Sequence, residues 1–189
     1  MQEVIWHGRG GQGVVLAAQI LAESAYMQGF KGVTSAPTFG PERRGAPLTA
    51  STKISETPIR TFAQIEYADI AVVLDPTLLK VINIQGSLRP GGLIIVNTPL
   101  KAEDTGIDGG NPVAVVDGAG IAFRHHLIKE GAPMVNTPLL GAFARAANLV
   151  SLEFIEKGLK WKLSSTVLAN NLSALRDAYE ATRGPGLEN

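Results

Sequence analysis

A chain of 189 residues with 17 basic and 17 acidic side chains carries no formal net charge, so its overall electrostatics draw it neither to nucleic acid nor to an anionic membrane. Its length fits one domain, and 45% hydrophobic content suffices for a sizeable core. There is no cysteine, which excludes disulfides, a cysteine nucleophile and thiolate zinc sites, and makes an iron–sulfur cluster held by this chain alone untenable.

No apolar run approaches the ~18–20 residues that cross a bilayer. The N-terminus carries Glu3 and lacks a basic region ahead of an apolar core, so a secretory signal is not expected and the cytoplasm is. His7, His125 and His126 do not have a metal-ligand spacing, and neighbouring histidines on a helix point about 100° apart; solvent-facing or capping roles are expected for that pair, and no metal site.

The first informative stretch is Val4-Ile5-Trp6, then Gly8, Gly10, Gly11 and Gly13, then the apolar positions Val14, Leu16, Ala17, Ala18, Ile20, Leu21 and Ala25. It reads as a buried strand, a glycine turn and an apolar helix. Gly8-x-Gly10-x-x-Gly13 has the dinucleotide-binding spacing: glycines permit positive φ and close backbone approach, and a helix N-terminus offers N–H groups to an anion. The same glycines serve equally to turn a strand tightly into a helix. A dinucleotide site also wants a carboxylate about 20 residues on, at the end of the second strand. The second strand is expected over 32–36, and the nearest acid, Glu42, stands beyond a proline turn. A free-standing NAD dehydrogenase is therefore disfavoured, while an anion site of another kind stays open.

Residues 37–47, PTFGPERRGAP, hold three prolines and two glycines among Phe39, Glu42, Arg43 and Arg44. A stiff loop with paired arginines suits a carboxylate or phosphate, which guanidinium groups bind bidentately; a salt bridge to Glu42 or another acid is the plainer alternative. A half-buried alternating strand is expected over 48–55, with an extended piece at 58–60 as a possible hairpin partner. Next come a buried strand over 69–75, a helix over 77–84 opened by Pro76, a break at 85–92, a buried strand over 93–97, a polar loop over 98–111, a short strand over 113–116 and a helix over 119–128. Asp75 and Asp117 would lie at strand ends, where helix N-capping is the commoner role and a catalytic carboxylate the rarer one.

From residue 131 the pattern is helical. Small residues over 139–147 permit close packing against the sheet or a partner, Ser151 and Glu153 suggest a capping-box start to a helix reaching Trp161, and a last helix spans 166–182. Trp6 and Trp161 are expected in a core or an interface. Alternating strands and helices predict an α/β, Rossmann-like fold, with a mostly parallel sheet flanked by helices and a helical C-terminal part. One domain is expected over 1–183, with a frayed tail at 184–189.

Taken together, His7-Gly8-Arg9-Gly10-Gly11-Gln12-Gly13, Phe39-Gly40-Pro41-Glu42-Arg43-Arg44-Gly45-Ala46-Pro47, Gln64-Ile65, Asp75-Pro76-Thr77-Leu78-Leu79, Asn136-Thr137-Pro138-Leu139-Leu140-Gly141-Ala142-Phe143-Ala144 and Leu149-Val150-Ser151-Leu152-Glu153 resemble the gamma subunits of the 2-oxoacid:acceptor oxidoreductases, the pyruvate:ferredoxin oxidoreductase (pyruvate synthase) group, in that family's order. The match covers essentially the whole chain. The Glu42-to-Pro47 variant is similar to the pyruvate or branched-chain type rather than the 2-oxoglutarate type.

The resemblance implies a subunit of a complex that oxidatively decarboxylates a 2-oxoacid with coenzyme A, giving acyl-CoA and CO2 and reducing ferredoxin. Thiamine diphosphate would be held by alpha and beta partners, and iron–sulfur clusters by beta and delta partners. The resemblance implies no catalytic residue in this chain. Gly8, Arg9, Gly10, Gly11, Gln12, Gly13, Arg43 and Arg44 become candidates for an anion or coenzyme A site, and Phe39, Glu42, Asn136 and Thr137 for the subunit interface. An independent nucleotide-binding module and a pure assembly scaffold are the competing expectations.

Overall fold

The structure, a computed structural model, describes residues 1–37, 45–60, 63–108 and 110–187. Phe39, Glu42, Arg43 and Arg44, with most of the proline-rich loop, lie outside the described residues.

The N-terminal apolar run forms β1 (Gln2–Arg9), and the glycine turn leads into α1 (Val14–Gln28). β2 (Gly32–Pro37), β3 (Pro47–Ser55), β4 (Ala68–Val73), β5 (Leu88–Asn97) and β6 (Val113–Val116) complete a six-stranded sheet of order β2-β3-β1-β4-β5-β6. β1, β4, β5 and β6 are mutually parallel, and only β3 runs against its neighbours β1 and β2. The sheet is mostly parallel, as the alternation of elements predicts.

Side-chain alternation divides the core. Val4 and Trp6, Ala50 and Ile54, Ile70 and Val72, Ile95, Ala114 and Val116 face a layer of helices: α1, α2 (Gly118–Arg124), α3 (Asn136–Ala147), α4 (Leu152–Lys162) and α5 (Ser165–Ala181). Ala71, Val73, Ile94, Val96, Val113 and Val115 face the other way, onto Ile65, Leu79, Ile82, Ile84 and Ile107. Among the described residues that second layer holds only loops and short 3-10 turns, at Pro76–Lys80, Gln85–Ser87 and Ala102–Thr105.

Four expectations change. The helix expected over 77–84 is a single 3-10 turn, because Ile82 and Ile84 leave helical spacing to sink onto the sheet. Residues 58–60 form no strand: β3 already pairs on both sides, leaving no hairpin position. β5 begins at Leu88, not 93; pairing jumps from Ala68↔Leu88 to Ile70↔Leu93, and Arg89-Pro90-Gly91-Gly92 bulge out where the proline would remove a ladder donor. The bulge delivers Arg89 to Glu3 and Asp69, at 2.6 and 2.7 Å. Finally, α2 stops at Arg124, and a two-residue hairpin follows, β7 (Ile128–Lys129) and β8 (Ala132–Pro133). Its turn residues, Glu130 and Gly131, have φ of 51° and 81°, the left-handed pair of a type I′ turn.

Capping follows the sequence in part. Asp75 and Asp117 accept from the N–H groups of Thr77 and Gly120, as N-caps do. Ser151 precedes α4, but its hydroxyl makes no cap bond; its N–H instead donates to Gln28 Oε1. Trp6 is fully enclosed, whereas Trp161 is 74% exposed and belongs to no core.

The small residues of α3 have a definite use. A Cβ at Gly141 would lie 2.2 Å from the Leu175 carbonyl oxygen and 3.1 Å from Ala178 Cβ, so α3 and α5 touch backbone to backbone there. Gly141→Ala gains about 1 kcal/mol of helix propensity but overpacks the crossing. We expect a net loss of about 1–3 kcal/mol, read as a lower urea midpoint at unchanged slope. An unchanged midpoint would mean that the helices separate without cost.

Across the sheet, beyond β6, the chain's last described segment returns: Arg183 and Val115 exchange two backbone hydrogen bonds at 2.8 and 3.0 Å.

Candidate functional site

A parallel sheet presents its ligand edge at the carboxyl ends of its strands. Here the ends of β1, β4 and β5 converge on a cavity of about 540 Å³. Its wall is the turn Arg9-Gly10-Gly11-Gln12, with Gly45, Leu74, Asp75, Pro76 and Asn97; the β7–β8 hairpin overhangs it with Lys129, Glu130, Ala132 and Pro133.

The glycines divide their labour. A Cβ on Gly8 would stand 2.5 Å from Val14 Cγ2 and 3.2 Å from Leu74 Cβ, so this position exists for helix–strand packing. Gly13, with φ 79°, abuts the Asn136 side chain, which would lie 2.8 Å from a Cβ there. Gly10 is tied to the last residues of the proline-rich loop, just ahead of β3: its N–H donates to Ala46 O, and its carbonyl accepts from Gly45 N. Gly11 (φ 97°) has open space where a Cβ would point, so its backbone is approachable from the cavity. Gly8 and Gly13 do not line the cavity.

Arg9 is occupied. Nε donates to Asp75 Oδ2 at 3.0 Å, Nη1 to the Gly45 carbonyl at 3.0 Å and Nη2 to Thr77 Oγ1 at 2.8 Å. Gln12 completes the frame: Oε1 accepts from Arg9 N at 2.8 Å, and Nε2 reaches Asp75 Oδ2 at 3.3 Å. Three chain segments far apart in sequence are thereby locked, and the Arg9 charge is largely spent on Asp75. Burial raises the Asp75 pKa, but bonds from the Thr77 hydroxyl and N–H, together with the Arg9 guanidinium, outweigh it and hold the carboxyl below its ordinary 3.8. Asn97 is a second strut: Nδ2 donates to Leu74 O at 2.8 Å, and Oδ1 accepts from Ala119 N at 3.2 Å.

This frame has a testable energy. Asp75→Asn removes the charge that Arg9 and Thr77 both engage, and we expect a loss of about 1–2 kcal/mol at pH 7. A lowered carboxyl pKa stabilises the fold at neutral pH, and that contribution is lost as pH falls below 3.8 through the lower folded value, so the gap between the variant and the parent should narrow steadily on acidification below 3.8. Arg9→Ala should cost no more on top of it, because the two changes break one network. Additive losses in urea titrations would show that they act separately.

The interface candidates of the second half are both internal. Thr137 is fully buried and donates to Asn171 Oδ1 at 2.6 Å, which corrects its expected place on an interface: it fastens α3 to α5. Asn136 is almost as enclosed, against Gly13. Arg43, Arg44, Phe39 and Glu42 lie outside the described residues. The hairpin is a cavity-lining feature that sequence reading passed over, whereas Asn97 lies at the strand-end edge where the alternation of elements puts it. The Glu130-Gly131 pair was the available signal, a weaker relative of the Asp-Gly turn.

The profile of the pyruvate ferredoxin/flavodoxin oxidoreductase family matches residues 3–181. The chain belongs to this family. Among relatives of this oxidoreductase family, the chain is 45% identical over 186 residues to the "pyruvate/ketoisovalerate oxidoreductases common subunit gamma" of Pyrococcus furiosus, covering 96% of this chain and 97% of the relative. It is similar to the crystal structure of the pyruvate oxidoreductase subunit PORC of Thermotoga maritima, with TM-score 0.80, 37% identity and coverage of 97% and 98%. A 2-oxoglutarate:ferredoxin oxidoreductase from Magnetococcus marinus shares the fold at 18% identity and TM-score 0.75; 94% of this chain corresponds to 30% of that longer one.

Proposed function

We propose that the chain is the gamma-type subunit of a 2-oxoacid:ferredoxin oxidoreductase, in which alpha, beta and delta partners carry the redox and decarboxylation chemistry and this chain shapes the subunit interface and one anion-binding wall. The observation that carries the reading is the near end-to-end match to gamma subunits, 96% of this chain against 97% of the relative. The donor set fits the division of labour: a chain without cysteine has no thiolate for an iron–sulfur cluster, so those clusters belong to the partners. No reaction step is assigned to a residue here. The edge cavity contributes position and charge to an anion of the reaction, coenzyme A or the oxoacid.

The Pyrococcus furiosus relative is named as a subunit common to pyruvate and ketoisovalerate oxidoreductases. By analogy, the choice of 2-oxoacid rests with the partners. No described helix is long and apolar enough to cross a membrane, which is compatible with a cytoplasmic complex. An independent nucleotide-binding role draws no support from the geometry, since β2 contributes nothing to the cavity.

Reconstitution tests the assignment. The chain should co-elute with its partners, and omitting it should abolish acyl-CoA formation. If it elutes alone while the remaining subunits keep full activity, the assignment fails. The anion wall has its own readout: in the assembled complex, coenzyme A should slow amide exchange in residues 9–12.

A further inference from the structure

We propose that the sheet face turned away from the five helices docks a helix of a partner subunit, whose aliphatic side chains fill a cavity over β5. This rests on the reading above that the chain is one subunit of a larger complex. Parallel strands are normally covered on both faces, because their crossovers lay helices there. Here α1 to α5 all pack on one face. On the other, β4 reaches β5 and β5 reaches β6 through loops whose 3-10 turns, Pro76–Lys80, Gln85–Ser87 and Ala102–Thr105, run to five residues at most. Among the described residues the third layer of the sandwich is therefore missing.

What its absence leaves is a cavity of about 690 Å³, which shares only Pro76 with the edge cavity among their described lining residues. Ile94 and Val96 of β5 are its floor. Leu79, Ile82 and Ile107 are half-buried walls, and Leu100 stands at the rim, 52% exposed. An aliphatic hollow of this size, open to water, is the kind of surface that marks an interaction site. The rim also holds Lys80 and Asp104, both exposed and neither with an ion-pair partner among the described residues. A helix with an apolar ridge, flanked by an acid towards Lys80 and a base towards Asp104, complements both floor and rim: charge at the edge and none at the centre.

Chain lengths bear on where that helix comes from. The matched relatives have no spare length for it: the match takes in 97% of the Pyrococcus furiosus chain and 98% of the Thermotoga maritima structure. The same fold makes up 30% of the Magnetococcus marinus chain, so most of that polypeptide is outside the fold and at hand to pack on it. This pattern favours a layer supplied from outside a gamma-type chain.

The test is binding of the full chain to immobilised partner subunits. Leu100→Asp should weaken it at least ten-fold, the scale of losing an interface anchor, and Lys80→Glu several-fold, more at low salt. Both sites are exposed, so thermal melting should match the parent's; should Leu100→Asp melt lower, Lys80→Glu decides alone. Trp161→Ser, in the helical layer, is the control and should bind as the parent does. If it alone weakens binding, the partner docks on the helices and the proposal is wrong. If both rim variants bind like the parent, this face is not the docking face, while the subunit assignment stands; if the parent binds no partner, both fall. A chain that self-associates through Leu100 with partner binding intact would give the face to a second copy. A raised KM for coenzyme A or the oxoacid with assembly intact would give the cavity to a small ligand. Either result overturns the proposal.

Discussion

Trp6→Ala should cost about 3–5 kcal/mol of stability, the largest single effect expected in this chain. Trp6 is on the central strand and fully enclosed between the sheet and the helical layer, with its ring centroid 6.0 Å from that of Phe143 at a 31° tilt. Its indole N–H donates to Thr52 Oγ1 at 3.2 Å, and that hydroxyl donates onward to Ala18 O at 3.1 Å, so the side chain also tethers β1 to β3 and, through Thr52, to α1. Alanine would leave a void bounded by a rigid sheet on one side and α3 on the other, neither able to collapse freely. Trp6→Phe keeps most of the volume and forfeits the hydrogen bond, for about 1–2 kcal/mol. The readout is convenient because there are only two tryptophans and Trp161 is largely exposed. In a Trp161→Phe background, fluorescence in urea reports Trp6 alone. A Trp6→Ala loss below about 1 kcal/mol would show that the surrounding core repacks.

The second large effect is in acid. His7 is on the opposite face of β1 from Trp6, 4% exposed, and neither ring nitrogen has a hydrogen-bond partner among the described residues. Burial alone pushes its pKa from 6.5 down to about 4. A folded pKa below the unfolded one means that the unfolded chain takes up the proton first. The neutral ring's contribution is therefore complete above pH 6.5, declines as pH falls and is gone below about pH 4. At about 1.4 kcal/mol per pH unit, the loss across that window approaches 3 kcal/mol. His7→Phe removes both unsatisfied nitrogens and should be at least as stable as the parent at pH 7, with a flatter pH profile. Urea midpoints between pH 7 and pH 4 measure this; equal slopes for variant and parent would place the acid sensitivity elsewhere.

The contrast between these two side chains shows what the amino-acid order discloses. Alternation along β1 is local, so strand, turn and helix were legible from Val4 to Ala25, as were the two aspartate caps and the mostly parallel sheet. The partners of the glycines were not. Spacing announces that Gly8 and Gly13 need room, but not that Gly13 needs it for Asn136, a residue far along the chain and on another helix. Arg9 looked like a ligand arginine because Asp75 and Thr77, which consume it, are distant in sequence. The helix expected after Pro76 failed for a related reason: the N-terminal signals are genuine, but Ile82 and Ile84 are claimed by the sheet's second layer, and tertiary burial overrides local propensity. The short hairpin bearing Lys129 offers too few residues for any periodicity to register.

The return of Arg183 to Val115 matters for what the chain avoids. β6 is an outermost strand, and its sequence Val113-Ala114-Val115-Val116 carries no charge. Left bare, four such residues are a template on which an extended segment of another molecule can add. The two hydrogen bonds from Arg183 occupy the middle of that rim, after α5 has brought the backbone there. A chain cut just before Thr182 would keep every helix yet expose this border, and its first symptom would be self-association in concentrated solution rather than a loss of secondary structure.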